Sequence, residues 1–544
     1  MKKFYRSAAL LILACAITSL SSCGGGQGSS NENNPDSDNP KVSLHATAIT
    51  ATDTSVTITI SKTGTVDHFT MSCDPLKGKT LPIPRPSLPG TTETFTENSL
   101  TPEMRYIVRI TAFNDSNQSI GNNVFCVETA SSGNTLSFNL IYDLDGLQKI
   151  NNNQSGHYLI SNDMDFSEYK NTWTPIGSTS SGFSGILNGN GYVVTSLKVL
   201  NYTYDSTNIG LFGCIDNGTV FSLGLTDIEI YGYKNVGSLA GQNISGAIYN
   251  CYASGKVLSM KSNTGGLVGF NNQGTISDCY ASVSVDGGNS AAPNDSNYHG
   301  GLVGNNEEGI IVNCYATGTI GHTSNPDNDF GITNGGLVGY NNQGKISKCH
   351  ATGNVGYKSI KRGGLVGENS GIISECYATG SVSGSQYVGG LVGLSDLGEI
   401  TKCFATGKVT GGTNYTGGLV AYNGWSDTSK IINCYATGSV SGGGQVGGLV
   451  GYNDYGTIAT SYAAGSVSGS NDLGGLLGFA YSEISLPDSY FIKGTADNDF
   501  GIAITNANMK KKETFTSWDF HTTWSLKNSV NNGYPYLTGV TPEK

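Results

Sequence analysis

Charge is scarce in this chain. Asp, Glu, Lys and Arg together make up 13% of 544 residues, where a soluble domain usually carries about 25%. Proline is thin at 14 residues and tryptophan at 4. The formal net charge is −11 and no basic run reverses it, which argues against nucleic acid or an anionic lipid surface as the partner. HExxH and GxSxG are both absent, so the usual zinc-peptidase and serine-hydrolase machinery is missing. There are no CxxC pairs and the seven histidines are scattered, so nothing has the spacing of a zinc site. What fills the gap is glycine, 77 residues, about twice the usual share, with Asn, Ser and Thr. The 29 tyrosines and a regular recurrence of Leu, Val and Ile supply a core if the fold is repetitive. A chain of this length is expected to hold several domains or an array.

The first 22 residues stand outside the fold. Lys2, Lys3 and Arg6 precede a short apolar stretch from Ala8 to Leu20, too short to span a bilayer. It ends in Leu20-Ser21-Ser22-Cys23, which resembles the lipobox of bacterial lipoproteins. The resemblance implies lipidation at Cys23 and anchoring rather than spanning. Residues 23–41 have the composition of a flexible tether. Gly24 after Cys23 favours the outer membrane, with the chain expected to be surface-exposed.

Residues 42–130 alternate as strands do, in VTITI at 56–60, HFTMS at 68–72 and YIVRITAFN at 106–114. Leu100-Thr101-Pro102-Glu103-Met104-Arg105-Tyr106 resembles the tyrosine corner of a fibronectin type III domain, which implies a small β-sandwich acting as spacer. Cys73 and Cys126 have the option of pairing in an oxidising compartment.

Beyond about residue 136 a repeat takes over. Its leucines stand at 211, 239, 267, 302, 337, 365, 391, 419, 449 and 476, a period near 27 residues that suits one coil of a parallel β-solenoid. In CYATGSVSG (376–384), Cys376, Ala378, Gly380 and Val382 share one parity and Tyr377, Thr379 and Ser381 the other. The first set is expected inside. Cys279, Cys314, Cys349, Cys376, Cys403 and Cys434 then stack inward as small apolar filler. Asn271, Asn306, Asn341 and Asn369 form a second column, expected as an asparagine ladder at a left-handed corner. Lys348, Glu375 and Lys402, each just before a cysteine, alternate in sign and should attract weakly along an outer column.

The string GGLVG, then Asn, then I-x-x-C-Y-A-T-G-x-V resembles the GLUG motif repeat, found in large bacterial surface proteins that include adhesins and some immunoglobulin A peptidases. Residues 136–205, with Trp173-Thr174-Pro175-Ile176-Gly177, are similar to the opening coils of such arrays. Residues 206–490 carry the repeats, and 491–544, with Trp518, Trp524 and Gly533-Tyr534-Pro535-Tyr536-Leu537, are similar to their closing cap. The resemblance implies an all-β chain, with a right-handed parallel β-helix after the sandwich.

Two insertions follow equivalent strands, at 286–299 and 321–334, and should emerge side by side as loops on a rigid scaffold. They contribute Tyr298, His299, Asp327, Asp329 and Phe330 as candidate ligand contacts; Trp425 comes from a shorter insertion. Asp327 and Asp329 have the look of part of a calcium loop, and calcium is the only cofactor the sequence suggests. The outward tyrosines at 252, 280, 315, 377, 435 and 462 suit either self-stacking or a sugar strip. No column pairs carboxylates as glycoside cleavage needs, so catalytic residues are not expected. The expected protein is a monomeric, lipid-anchored surface binder for an extracellular protein or glycan, adhesin-like. A polysaccharide-processing enzyme and a passive stalk are the alternatives.

Overall fold

The computed structural model of the protein describes residues 42–75, 83–86, 91–169, 172–201, 203, 206–287, 297–321, 332–356, 360–424, 429–481, 484, 486–496, 498 and 500–540. The leader, the tether and Cys23 lie outside these residues, as do Asp327, Asp329, Phe330 and Trp425. The fold divides into two units. One takes the chain up to Met164 with Gly185–Val193 and Thr219–Gly224; the other takes Asp165–Ser184, Val194–Gly218 and Leu225 onward.

The first unit is built on two antiparallel sheets. Leu44–Thr52, Ser55–Lys62, Thr92–Asn98 and Thr135–Ser137 form one; His68–Pro75, Ile83–Pro86, Arg105–Phe113 and Ser119–Glu128 form the other. Burial alternates residue by residue along Ser55–Lys62 and Arg105–Phe113, as two-residue periodicity requires. Phe69 and Phe95 meet edge to face between the sheets at 5.4 Å. The Tyr106 hydroxyl accepts the Thr101 N–H at 2.8 Å, closing the turn that the sequence marked. Cys73 and Cys126 do not form a disulfide, and register explains why. Cys73 lies opposite Val108 and Val108 opposite Phe125, so Cys126 is one residue out of line and points to the other face. There its N–H reaches Asn188 Oδ1 at 3.1 Å and its carbonyl accepts Asn188 Nδ2 at 2.9 Å. Asn190 makes the same reciprocal pair with Ala46, 2.8 Å each way.

Residues 157–491 wind as a parallel β-solenoid of about eleven turns. A typical coil has four short strands: Ile332–Gly335, Val338–Asn342, Lys345–Ser347 and His350–Ala351. These are called faces 1 to 4 below. Each strand pairs in parallel with its copies in the neighbouring coils, so Val303, Val338 and Val366 line up along face 2. The leucines, isoleucines and cysteines point inward as their parity requires. Leu337, Ile346, Cys349 and their copies are fully buried.

The described cysteines of this column form no disulfides, and they do more than fill space. Cys279 N–H donates to Cys314 Sγ and Cys314 N–H to Cys349 Sγ, at 3.4 Å each. Each thiol in turn donates to a carbonyl two residues back, as Cys314 does to Val312 at 3.2 Å. Ser461 takes the eighth place and accepts the Cys434 N–H at 3.1 Å. Burial pushes the thiols of Cys279, Cys314, Cys349 and Cys403 well above their ordinary range.

The asparagine ladder is present and continuous over five coils. Nδ2 of Asn243, Asn271, Asn306 and Asn341 donates to Oδ1 of the next asparagine at 2.7–2.8 Å, ending on Asn369. The same Nδ2 of Asn306 also meets the Gly309 carbonyl at 3.1 Å. A Cβ on Gly309 would lie 2.2 Å from Asn271 Nδ2 and 2.4 Å from Asn306 Oδ1, so the ladder demands glycine there. One expectation is corrected: the asparagines are in strand geometry. The left-handed residues are two places later, at Gln273, Glu308 and Gln343, and again just before each cysteine, at Asp278, Lys348, Glu375 and Lys402. The alternating charges sit at this tight corner, and no ion pair within 4.0 Å joins Lys348, Glu375 and Lys402.

The ladder breaks at Ser395, whose side chain is too short to bridge. Its Oγ and the Asn423 Oδ1 on the next coil are both buried without a hydrogen-bond partner. A satisfied hydrogen bond contributes about 1 kcal/mol and an orphaned buried group costs about 1–3 kcal/mol. Ser395→Asn should therefore raise stability by about 1–2 kcal/mol, and Asn306→Ala should lower it by about 2–3 kcal/mol. Urea denaturation of residues 42–544 measures both; an unchanged midpoint for Ser395→Asn would show that the break costs nothing.

Candidate ligand-binding face

The two candidates at the described edge of the insertions separate. His299 is 2% exposed and occupies an inward column in register with Thr264, Asn334 and Arg362, all buried. That corrects the expectation of a surface contact: the residue stands two places before Gly301, where other coils carry inward Val236 and Val388. Tyr298, one residue earlier, has the opposite parity and is half-buried. Its ring lies 5.0 Å from Tyr340.

Two sets of outward aromatics remain, and their geometry differs. On face 4, Tyr252, Tyr280, Tyr315, His350, Tyr377, Phe404, Tyr435 and Tyr462 stack in one line. Centroid spacings are 4.7–5.1 Å and interplanar angles 1–9°. The coil repeat of about 4.8 Å is close to aromatic stacking distance, so in-register rings lie flat on one another. Their faces are consumed by neighbours and only ring edges and hydroxyls point outward. This set self-stacks.

The second half of that line is also covered. Tyr377 to Tyr490 are buried in a cluster with Met509, Phe515, Trp518, Trp524, Leu537 and Val540. The Tyr462 hydroxyl donates to the Pro535 carbonyl at 2.6 Å, and Trp518 stacks on Trp524 at 4.3 Å. The closing aromatics thus lie along the side of the coils. The open end is closed by the segment before them: Gly475 N–H reaches the Ala496 carbonyl at 2.6 Å, and Asn498 Nδ2 the Leu477 carbonyl at 2.8 Å.

Faces 1 and 2 carry a band that sequence reading missed. Face 2 offers the residue between GLVG and the ladder position, in register as Tyr340, Glu368, Leu394, Tyr422, Tyr452 and Phe479. Face 1 offers the residue two places before the paired glycines, Tyr298, Tyr387 and Tyr415 among them. The columns adjoin across the Gly-Gly corner. Tyr387 meets Tyr415 at 5.1 Å and 48°, Tyr415 meets Tyr422 at 5.2 Å and 70°, and Tyr415 meets Tyr452 at 4.9 Å and 57°. Rings inclined this far leave part of the faces of Tyr387, Tyr415 and Tyr452 open, whereas Tyr422, enclosed by them, is 7% exposed. Tyr387, Tyr415 and Tyr452 are half-buried, Phe479 is 38% exposed and Tyr481, beside Tyr455, 66%.

Polar groups stand among the rings. The Tyr422 hydroxyl donates to Asp454 Oδ2 at 3.1 Å, Gln445 Nε2 to Asp472 Oδ2 at 2.9 Å, and Lys361 Nζ to Glu368 Oε2 at 2.6 Å. Partial burial raises the Tyr340 phenol, with the Ser370 hydrogen bond opposing and Glu368, Asp396 and Glu307 adding to the rise. Among the described residues no group of three or more His, Cys, Asp or Glu could hold a metal ion. The signal for this band was in the sequence: the variable residue before each ladder position is aromatic in several late coils.

The stacked line on face 4 makes its own predictions. Tyr280 is pushed up to about 12, first by burial and then by Tyr252 and Tyr315. Between the ordinary phenol value of about 10 and 12 the folded chain keeps a proton that the unfolded chain has released, so stability falls as pH rises through that window. Tyr280→Phe should make the alkaline decline shallower, read as the urea midpoint at pH 9 to 12; an unchanged slope would refute it. Trp524→Ala should cost about 3–5 kcal/mol and expose Tyr435 and Tyr462, read by thermal unfolding and tyrosine emission.

Comparison with known proteins gives the repeats a family. Residues 232–258, 262–286, 295–321, 334–356, 384–410, 412–441 and 442–468 match the GLUG motif. A proposed Gly-rich membrane protein of Evansella cellulosilytica is 40% identical over 95 residues, covering 16% of this chain and 11% of the relative. Halomucin of Haloquadratum walsbyi is 29% identical over 143 residues, covering 24% of this chain and 2% of the relative. The chain therefore spans a small part of the length of either. A proposed immunoglobulin A1 protease from Bacteroides ovatus overlaps 74% of this chain and 92% of its own at 15% identity and a TM-score of 0.21. The family 28 exopolygalacturonase of Yersinia enterocolitica overlaps 85% and 100% at 8% identity and a TM-score of 0.19. Overlaps of that quality carry no argument about activity. The solenoid coils of this chain carry GLUG motif repeats.

Proposed function

We propose that the protein is a non-catalytic binding protein of the bacterial cell surface, presenting the tyrosine band of faces 1 and 2 to an extracellular ligand in the manner of an adhesin. The observation that carries this is the contrast between the two aromatic sets. One is spent on self-stacking and on the closing segment, whereas the other keeps inclined, partly open rings among hydrogen-bonding side chains. The lipobox-like Leu20–Cys23 supports an outer-membrane lipid anchor at Cys23. The strand order of the two antiparallel sheets and the Thr101–Tyr106 hydrogen bond support a fibronectin type III-like spacer. Relatives named as a membrane protein and a halomucin suit a surface setting. The remaining insertion candidates, Asp327, Asp329, Phe330 and Trp425, stay as a secondary contact set, with calcium at Asp327 and Asp329.

A polysaccharide-cleaving enzyme is the second reading, favoured by Glu368 and Asp396, which stand on consecutive coils near Tyr340. Lys361 holds Glu368 in an ion pair, which leaves that carboxylate poorly placed to shuttle protons. The test is retention of matrix proteins and glycans by immobilised residues 42–544, with mass spectrometry of what is held. Intact ligand is the expected result. Shortened glycan would transfer the function to an enzyme, and nothing retained would leave a passive stalk.

A further inference from the structure

Resting on that reading, we propose that the ligand of the tyrosine band is an uncharged polysaccharide, laid along the solenoid axis over Tyr387, Tyr415, Tyr452 and Phe479. Three observations point the same way. The first is shape: the rings belong to consecutive coils and run along the axis. Tyr452 and Phe479 follow the buried Tyr422, 7% exposed, along its column at 5.0 and 5.5 Å with interplanar angles of 13° and 21°. Tyr387 and Tyr415 flank them at steep inclination. A step of about 4.8 Å per coil is close to the length of one sugar ring in an extended chain, so successive sugars meet successive coils. The C–H faces of a pyranose are slightly positive and suit the electron-rich ring faces left open here.

The second observation is polarity. Sugar hydroxyls need partners at the edge of a stacking platform, and Asp454, Gln445 and Asp472 stand there. Carboxylates and amides accept and donate to hydroxyls without requiring charge on the ligand. The third is sign. Glu368 lies near Tyr387, Asp454 near Tyr422 and Tyr452, and Asp472 beside Gln445, while Lys361 is already paired with Glu368. A chain of uronic acids or sulfated sugars would meet repulsion along its whole length. The line on face 4 offers no equivalent, because its rings lie within 9° of one another throughout and its later half is buried under the closing segment.

Isothermal titration of residues 42–544 with neutral cello-, xylo- and chito-oligosaccharides, polygalacturonate, heparin and polylysine tests this. Neutral oligosaccharides should bind, more tightly as they lengthen, with little salt dependence. Tyr415→Ala and Tyr452→Ala should each weaken binding about tenfold, Tyr415→Phe should retain it, and Tyr280→Phe on face 4 should leave it unchanged. Circular dichroism of each variant shows whether the coils remain folded. Binding of the acidic chains or polylysine alone, or binding indifferent to the tyrosine substitutions, would overturn the proposal. If no sugar binds but the retention experiment captures a protein through the same tyrosines, the ligand class fails and the surface-binding reading stands. If nothing is captured in either experiment, both fail.

Discussion

The whole second unit depends on one constraint: every buried side chain must find its own copy one coil away. The asparagine ladder states it most strictly. An Asn amide has one donor face and one acceptor face, so Asn271 to Asn369 satisfy each other only while the coils stay in register. A slip of one residue would turn the leucine and cysteine columns to solvent and orphan several buried amides at once. Glycine follows from the same constraint. Gly309 and its copies are where the chain passes close to the ladder, and a methyl group there would collide with the amides that hold the register.

The outward columns obey the same translation with different consequences. Residues aligned on a flat face meet their copies at stacking distance, which is why face 4 builds a line of parallel rings. Where two columns adjoin across a corner, as on faces 1 and 2, rings from one column wedge against those of the other and tilt. Identical residue chemistry thus yields a closed surface in one place and an open one in another. The closing segment reinforces the difference, because Trp518, Trp524 and Leu537 lie over the end of the parallel line and remove it from solvent.

Much of this was legible in the sequence because a solenoid turns periodicity directly into position. The inward cysteines, leucines and isoleucines follow from the 27-residue period and strand parity, and the tyrosine corner at Tyr106 from one short motif. His299 was misplaced because it was read as part of a loop; aligned on the glycine pair that directly follows it, it falls in the column of Val236 and Val388, which faces inward. The left-handed residues were assigned to the ladder asparagines on composition, whereas the backbone turns two places later at Gln273, Glu308 and Gln343, residue types that give no such signal, and again before the cysteines, where Asn250, Asp278, Asn313 and Asn433 do give it. The tyrosine band was hidden for a geometric reason. Its two columns lie on different strands separated by the glycine pair, and their diagonal contacts across coils exist only once the coil is closed. The path of the closing segment along face 4 likewise depends on contacts about 70–90 residues apart, such as Tyr462 with Pro535 and Trp524 with Asn433, which no local pattern encodes.

A rigid band of this kind has a definite energetic character. Tyr387, Tyr415, Tyr422 and Tyr452 are fixed by one another and by the coil beneath them, so their rotamer entropy is already spent in folding. Each ordered side chain recruited at an interface otherwise costs about 0.5–1.5 kcal/mol. A flexible ligand laid along the band would bear nearly all the ordering cost itself, and each further unit would add one more ring contact. Affinity on such a surface grows with the number of coils engaged more than with the quality of any single contact. The late coils, where one column or the other supplies an aromatic ring on every coil from Tyr387 to Phe479, are therefore the part of the solenoid best suited to hold an extended chain.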